Sequence, residues 1–279
     1  MARPPVALAA AVVAVLAAGV GAVQARANDP SHRAAQAPPP VGAAPTARPA
    51  PRAPVVRTAP PRPVVRFPES LATGWGIDVS WPQCHAPLPA VQTGFALVGV
   101  NGGRPMTGNP CLTDQLRALR GHLPVAFYLN LAAPPSGDPV AYGAKVVDDG
   151  LARIAGTGAS APVVWLDVEV ANEWRDPGTN VAVISGALRR LAAHGLVGGV
   201  YSSVPMWQQI TGGAQLHVPV WLAITGSEVP SLRHACTVGL GGNTATMVQY
   251  VAITPAQQIV DADVLCRTDA GVLRMFGRL

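Results

Sequence analysis

From residue 74 onward the chain repeats one pattern, a short apolar run followed by a stretch with helical periodicity. The runs Gly76–Val79, Ala96–Val100, Val125–Leu131, Pro162–Glu169, Gly198–Tyr201, Val218–Ala223, Thr246–Tyr250 and Ile259–Val264 read as strands. They are continuously apolar rather than alternating, which suits strands covered on both faces. Helical patterns fall at 111–122, 140–154 and 180–195, the last with Thr179 or Asn180 as N-cap and Gly195 as stop. After the fifth strand only 205–210 is helical, and little helix separates the last three strands. Eight strands alternating with helices at first and thinning later predict an α/β chain folded as a parallel TIM-like barrel with a simplified second half. A doubly wound open sheet is the alternative. It would carry a Gly-rich phosphate turn after its first strand, where this chain has Ser80-Trp81-Pro82-Gln83. No Walker, HExxH or GxSxG sequence is present.

The N-terminal quarter is built differently. Residues 1–27 combine Arg3, the apolar run 6–23 and the small-x-small triplet Ala25-Arg26-Ala27, the pattern of an export signal. The competing reading is an uncleaved membrane tether through 6–23, because 18 apolar residues barely span a bilayer. Residues 28–70 hold 12 of the 29 prolines and hardly any aromatic side chain, too little to bury a core, so they read as a disordered Pro/Ala/Arg-rich linker. They should make no packed contact with the barrel at 71–279. Eight of the 20 basic residues lie before residue 71, leaving 12 basic against 13 acidic in the folded part. That part therefore offers no nucleic-acid surface. The tail's positive charge serves solubility or adhesion to anionic wall polymers.

Cys84, Cys111, Cys236 and Cys266 include no CxxC pair and no zinc spacing. In an exported chain an even count argues for two disulfides, with three connectivities open; four buried free thiols are the alternative. Neither metal nor cofactor is expected.

The segment 163–170, VVWLDVEV, places Asp167 and Glu169 two residues apart on a buried strand. Residues i and i+2 share a strand face, with Cα atoms about 6–7 Å apart, and burying an unpaired carboxylate costs several kcal/mol. Two on one face need a polar cavity, a cation or a chemical task. Asp78 ends the first strand, while Asp261 and Asp263 lie on the eighth, its neighbour in a closed barrel. Trp81, Tyr128, Tyr201, Trp221, Gln249 and Tyr250 also lie near strand ends. Any one strand-end acid has a structural explanation. Several acids interleaved with rings describe a sugar site, with carboxylates for proton transfer and rings for stacking.

These motifs carry a resemblance. GIDVSWPQ, VVWLDVE, YSSVPMW, VWLA, MVQY and VDADV resemble, in order, strand ends of the glycoside hydrolase family 25 (Chalaropsis-type muramidase) domains, and most closely their exported bacterial relatives of unknown function. The resemblance implies a (β/α)5(β)3 barrel acting on the β-1,4 bonds of peptidoglycan. It implies Glu169 as general acid and Asp167 as base or as partner of the substrate's 2-acetamido group. Asp78 and Asp261 would tune the pair, and the charge on Asp167 would raise the pKa of Glu169. Asp263, Asn101 and Asn130 join the rings and Gln249 as glycan contacts.

Two departures are visible. VNGGRP at 100–105 replaces an acidic residue after the second strand, and Asn130 stands where the muramidases tend to have His. Both remodel the glycan floor. Two functions follow: a secreted or wall-associated glycosidase, or a wall-tethered barrel that binds glycan without turnover. In either case a monomer is expected, with cell-wall polysaccharide as partner. In such a barrel Cys84 should pair with Cys111, after adjacent strands, and Cys236 with Cys266.

Overall fold

The computed structural model describes residues 65–66, 74–85, 87–88, 93–119, 123–160, 162–224, 232–254, 257–267 and 277–278. The expected signal over 1–27 and all of the linker except 65–66 lie outside the described residues. Among the described residues no helix is long and apolar enough to cross a membrane.

Eight strands close into a barrel: β1 (Trp75–Val79), β2 (Phe95–Gly99), β3 (Pro124–Asn130), β4 (Val163–Asp167), β5 (Val197–Ser202), β6 (Val220–Ala223), β7 (Met247–Ile253) and β8 (Ile259–Leu265). The order around the barrel is β7-β8-β1-β2-β3-β4-β5-β6, and β6 pairs with β7 to complete the ring. Helices α1 (Leu112–Leu119), α2 (Pro139–Gly156), α3 (Pro177–Ala193) and α4 (Val204–Thr211) follow β2, β3, β4 and β5.

The barrel is mixed rather than wholly parallel. β8 runs antiparallel to both β7 and β1. The chain length dictates this: only five residues join Ile253 to Ile259, whereas a parallel crossover needs about a dozen or more. Thr254 N donates to Gln258 O at 2.9 Å within that turn. The reversal changes the reading of the two aspartates on β8. Asp261, near the strand's start, lies opposite Asp78 at the mouth, and Asp263 lies deeper, opposite Gly76.

The linker is not wholly free of the barrel either. Val65 and Arg66 form a two-residue parallel strand against Ala252 and Ile253. β6 pairs only with Met247–Gln249 of β7, so the upper end of β7 presents unpaired backbone groups that a passing extended segment can satisfy.

Strand faces alternate as the pleat requires. Outward residues such as Ile77, Val98, Phe127, Leu129, Leu166, Val200 and Leu222 form one buried cluster with the helices. Inward residues form a second cluster, in which Phe95, Leu97, Tyr128, Trp165, Tyr201, Trp221 and Met247 fill the barrel. Rings of this size need room, and glycine supplies it. A Cβ on Gly199 would lie 2.4 Å from the Trp165 ring, and one on Gly76 2.2 Å from Phe95.

The helices begin where short polar side chains cap them. Asp138 accepts from Val140 N at 2.8 Å ahead of α2, with Pro139 in the first turn. Asp176, not Thr179 or Asn180, caps α3 by accepting from Thr179 N at 2.9 Å. Pro177 suits the first helical position because that amide needs no partner. Asn180 is instead buried and donates to Ile210 O at 2.8 Å, tying α3 to α4.

Both expected disulfides form, Cys84–Cys111 and Cys236–Cys266, each with Cα atoms 5.3 Å apart. Sequence separations of 27 and 30 residues correspond in the chain-entropy model to roughly 3–4 kcal/mol each. Replacing Cys236 and Cys266 by Ser should therefore lower unfolding free energy by about that amount in urea titration. A loss below about 1 kcal/mol would show that this bridge does not constrain the unfolded chain.

Candidate active site

β4 ends at Asp167, and Glu169 sits just beyond it. The chain stays pinned for one more step, because Val168 N donates to Tyr201 O at 2.9 Å while Asp167 O accepts from Leu131 N at 3.0 Å. Val168 is buried in the outer cluster, so the alternation carries Asp167 and Glu169 to the inner side. Asp167 is only 4% exposed; Glu169 is half-buried at the rim. The rim is held by its own backbone: Glu169 O accepts from Trp174 Nε1 at 2.7 Å and from Asn172 N at 3.2 Å.

Asn130, at the end of β3 and in register with Asp167, donates from Nδ2 to Asp167 Oδ2. Asn101, in the loop after β2, holds Asn130 at both backbone groups. Its Nδ2 donates to Asn130 O at 3.1 Å, and its Oδ1 accepts from Asn130 N at 3.2 Å. The two departures noted in the sequence thus form one structural unit that fixes the orientation of Asp167.

A second chain crosses the mouth. Tyr201 OH donates to Gln249 Oε1 at 2.7 Å, and Gln249 Nε2 donates to Asp78 Oδ2 at 2.8 Å. Below it, Trp221 Nε1 donates to Asp263 Oδ1 at 2.8 Å. The Trp221 ring is the hub of the interior aromatics, with centroids 4.5 Å from Tyr201, 5.6 Å from Tyr128 and 6.1 Å from Trp165.

The structure therefore gathers Asp78, Asp167, Glu169, Asp261, Asp263, Asn101, Asn130, Tyr128, Tyr201, Trp221 and Gln249 around one barrel mouth. Trp81 stands apart on a turn after β1, 46% exposed, with its Nε1 packed over Gly103. Tyr250 does not face the mouth. Its neighbour Gln249 points inward, so the pleat sends Tyr250 to the outer cluster, where it meets Trp75 edge-on at 5.9 Å. Two contributors were missed in the sequence. Ser80 pairs with the Tyr128 hydroxyl, and Trp174 anchors the Glu169 carbonyl. Ser80 lies inside the GIDVS motif, two residues from Asp78, and that spacing was the available clue. Trp174 lies in a loop without a pattern.

A lysozyme-like protein 1 family model matches residues 102–232, a span that contains Tyr128, Asn130, Asp167, Glu169, Tyr201 and Trp221. The fold is that of a glycosyl hydrolase 25 of Streptococcus pneumoniae described as participating in host cell invasion. That match has 16% identity and a TM-score of 0.52, and covers 74% of this chain and 94% of the other. The likeness is one of fold. The modular Cpl-1 endolysin, solved with a peptidoglycan analogue, is 18% identical with a TM-score of 0.51, over 70% of this chain and 54% of the endolysin. The Clostridium perfringens spore cortex lytic enzyme SleM is 14% identical with a TM-score of 0.50, over 69% and 67%. No curated protein sequence matches the chain.

In this barrel mouth each of the five acids is pushed upward in pKa, first by burial. Asp78 and Asp263 lie well above the ordinary carboxylate range, with neighbouring aspartates adding to the effect. Asp167 is raised by burial and then by the charge of Glu169, against the Asn130 hydrogen bond. Asp261 is pushed up to about 6 by burial. Glu169 is raised by burial and by Asp261, while the Tyr201 hydroxyl opposes the shift. Asp167 and Glu169 disfavour each other's ionisation as like charges, and Asp261, brought to the rim by the antiparallel return of β8, adds to the effect on Glu169.

Raised carboxylates have a definite sign in stability. Between the unfolded pKa, about 4, and the raised folded values, the folded state holds protons that the unfolded state releases. Stability therefore falls as pH rises through that window. Asp148 and Asp176, held low by Arg190 and Thr179, are exposed and contribute little in the opposite direction. Thermal melts should show a higher midpoint near pH 5 than near pH 7.5, and Asp263→Asn should flatten the difference. A midpoint that rises steadily from pH 5 to 7.5 would contradict the arrangement.

Proposed function

We propose that the chain is a glycosidase acting on cell-wall glycan, with Glu169 as general acid. The observation that carries this reading is the placement of Glu169, half-buried at the rim, on the same strand face as a nearly enclosed Asp167 fixed by Asn130. A general acid must hold its proton near working pH, and burial plus Asp261 act in that direction. In the reaction Glu169 gives its proton to the glycosidic oxygen and the bond from the anomeric carbon breaks. Asp167, whose Oδ1 has no protein partner, faces the positive charge that develops or accepts from the nitrogen at sugar position 2. Water then adds to the anomeric carbon and its proton passes to a carboxylate. Trp81 supplies an exposed ring for stacking on a pyranose face.

The likeness to a hydrolase solved with a peptidoglycan analogue supports peptidoglycan as the substrate class. The two disulfides support export, since such bonds persist in oxidising compartments. On this reading residues 1–27 direct export, or remain as an anchor, and most of 28–70 links the barrel to that end.

A second reading has its own support. The Asn101–Asn130–Asp167 unit ties up an oxygen of Asp167, as suits a floor that holds glycan without turning it over. Glu169→Gln separates the two readings. It removes the proton while keeping size and hydrogen bonding, so reducing-end release from purified peptidoglycan should fall by about 10²–10⁴-fold while pull-down on the insoluble wall persists. Asp261→Asn should shift the alkaline limb of the pH–rate profile, where the general acid loses its proton, to lower pH by withdrawing a charge that raises Glu169. Full activity in Glu169→Gln would remove the catalytic assignment. Wild-type binding without cleavage across pH 4–8 would establish the binding module.

A further inference from the structure

Beside the barrel mouth lies a second concavity. It is a hollow of about 250 Å³ between the loop that follows β4 and the helices α3 and α4, with Val170 and Trp174 as apolar wall and Asn172, Arg175 and Gln209 as polar lining. That is less than the roughly 300–1,000 Å³ of sites that enclose a drug-sized ligand, so the hollow suits one residue-sized group. It shares its frame with the mouth. Val170 directly follows Glu169, about 3.8 Å away from Cα to Cα. Two residues of the hollow, Trp174 through Nε1 and Asn172 through its backbone N, hold the Glu169 carbonyl.

Arg175 is the cation of this hollow. Its backbone is clamped on both sides by Asn180, which is 1% exposed. Arg175 N donates to Asn180 Oδ1 at 2.9 Å, and Asn180 Nδ2 donates to Arg175 O at 3.0 Å. The guanidinium is left open: among the described residues the ion pairs lie elsewhere, at Arg117–Asp114, Arg153–Asp149 and Asp148 with Arg190 and His194. The adjacent Asp176 carboxylate is occupied by Thr179. Among the described residues the side-chain amides of Asn172 and Gln209 are also without a protein partner. A locked backbone that carries an open planar fork is suited to holding a carboxylate by two parallel hydrogen bonds. The residues gathered at the mouth include no Lys or Arg, so Arg175 offers the positive charge one loop away.

We propose, building on the glycosidase reading, that this hollow is a subsite for a short peptide carried by the glycan, recognised through a free carboxylate that pairs with Arg175. An extended peptide spans about 3.3–3.6 Å per residue. The second residue of a peptide linked to a sugar in the mouth therefore lies about 7 Å out, far enough to pass Glu169 and Val170. Its carboxylate meets the Arg175 fork, with Asn172 and Gln209 as further donors, and its aliphatic part lies on Val170 and Trp174. A phosphodiester of a wall polymer is anionic as well, but it arrives on a separate chain. The covalent link through the bound sugar gives the peptide an effective concentration that a free polymer lacks. The substrate class is thus glycan that still bears its acidic peptides.

The test uses the full chain and a β-1,4-linked disaccharide bearing a dipeptide, prepared with free carboxylates and with those carboxylates amidated, titrated calorimetrically at about 0.15 M salt. The acid form should bind about three- to tenfold tighter, the scale of a well-aligned ion pair at a partly open site. Arg175→Gln should erase that difference. Arg175→Lys, which keeps the charge without the fork, should keep only part of it. Both should melt as the wild type does, because the side chain holds no protein partner. Arg104→Gln, on another rim loop and outside the hollow, should leave the preference intact, which excludes general attraction to a basic rim. Equal binding of the two forms overturns the proposal, and so does a preference that survives Arg175→Gln. A glycerol phosphate oligomer that binds as tightly as the acid form, and loses that binding in Arg175→Gln, overturns it too by making this a phosphodiester site. Glu169→Gln should keep the acid-form preference, which separates the subsite from catalysis. Reducing ends released alike from acidic and amidated wall glycan, with unchanged kinetics in Arg175→Gln, would keep the hydrolase and remove the subsite. Acid-form preference without cleavage of any wall glycan would keep the subsite and remove catalysis.

Discussion

The register between β6 and β7 sets Met247, Val248 and Gln249 opposite Trp221, Leu222 and Ala223, and this pairing turns a twisted sheet into a ring. The hydrogen bonds that cross the mouth from β5 and β6 depend on it. The Tyr201–Gln249–Asp78 chain runs from β5 to β7 to β1, and its first step joins strands from opposite ends of the sheet order. The indole of Trp221 on β6 reaches Asp263 on β8 only because β7 holds those two strands on the same wall. Closure also removes most exposed sheet edges; among the described residues Val65–Arg66 pairs with the top of β7 and Gly277–Arg278 with the start of β3.

The sequence exposed the architecture because the code for it is local. Continuous apolar runs separated by helical periodicity mark strands buried on both faces, and all eight lie where that pattern placed them, within a few residues at each end. The caps were less legible. Asp176 and Thr179 are both good N-caps in isolation, and only Pro177 between them favours the earlier start. The direction of β8 was legible in principle from the five-residue connection before it, but the barrel analogy outweighed that length. Tyr250 shows the same limit at the site. Proximity to a strand end does not say which face a residue occupies, whereas counting from Gln249 does.

Site energetics are harder still to read from sequence, since burial and counter-charge come from distant segments. Asp167 and Glu169 are neighbours in the chain, yet their environments are set by Asn130, Asn101, Tyr201 and Asp261. Collecting carboxylates in a barrel interior without a cation works against stability. Local rules are often broken where a fold serves a ligand, and here the interior rings and glycines of β1 and β5 pack tightly around the exception.

The disulfide pattern bears on how the molecule is made. Its bridges join first to second and third to fourth cysteine, so neither loop encloses or crosses the other. As the chain emerges from its N-terminus, Cys111 meets a single earlier thiol. By the time Cys236 appears, the first two cysteines are already consumed, and it waits only for Cys266. An oxidant that joins thiols in order of appearance therefore produces the native pattern directly, without the thiolate attack on a finished bond that rearrangement requires. Two nested or crossed bridges over the same cysteines would have needed that correction step.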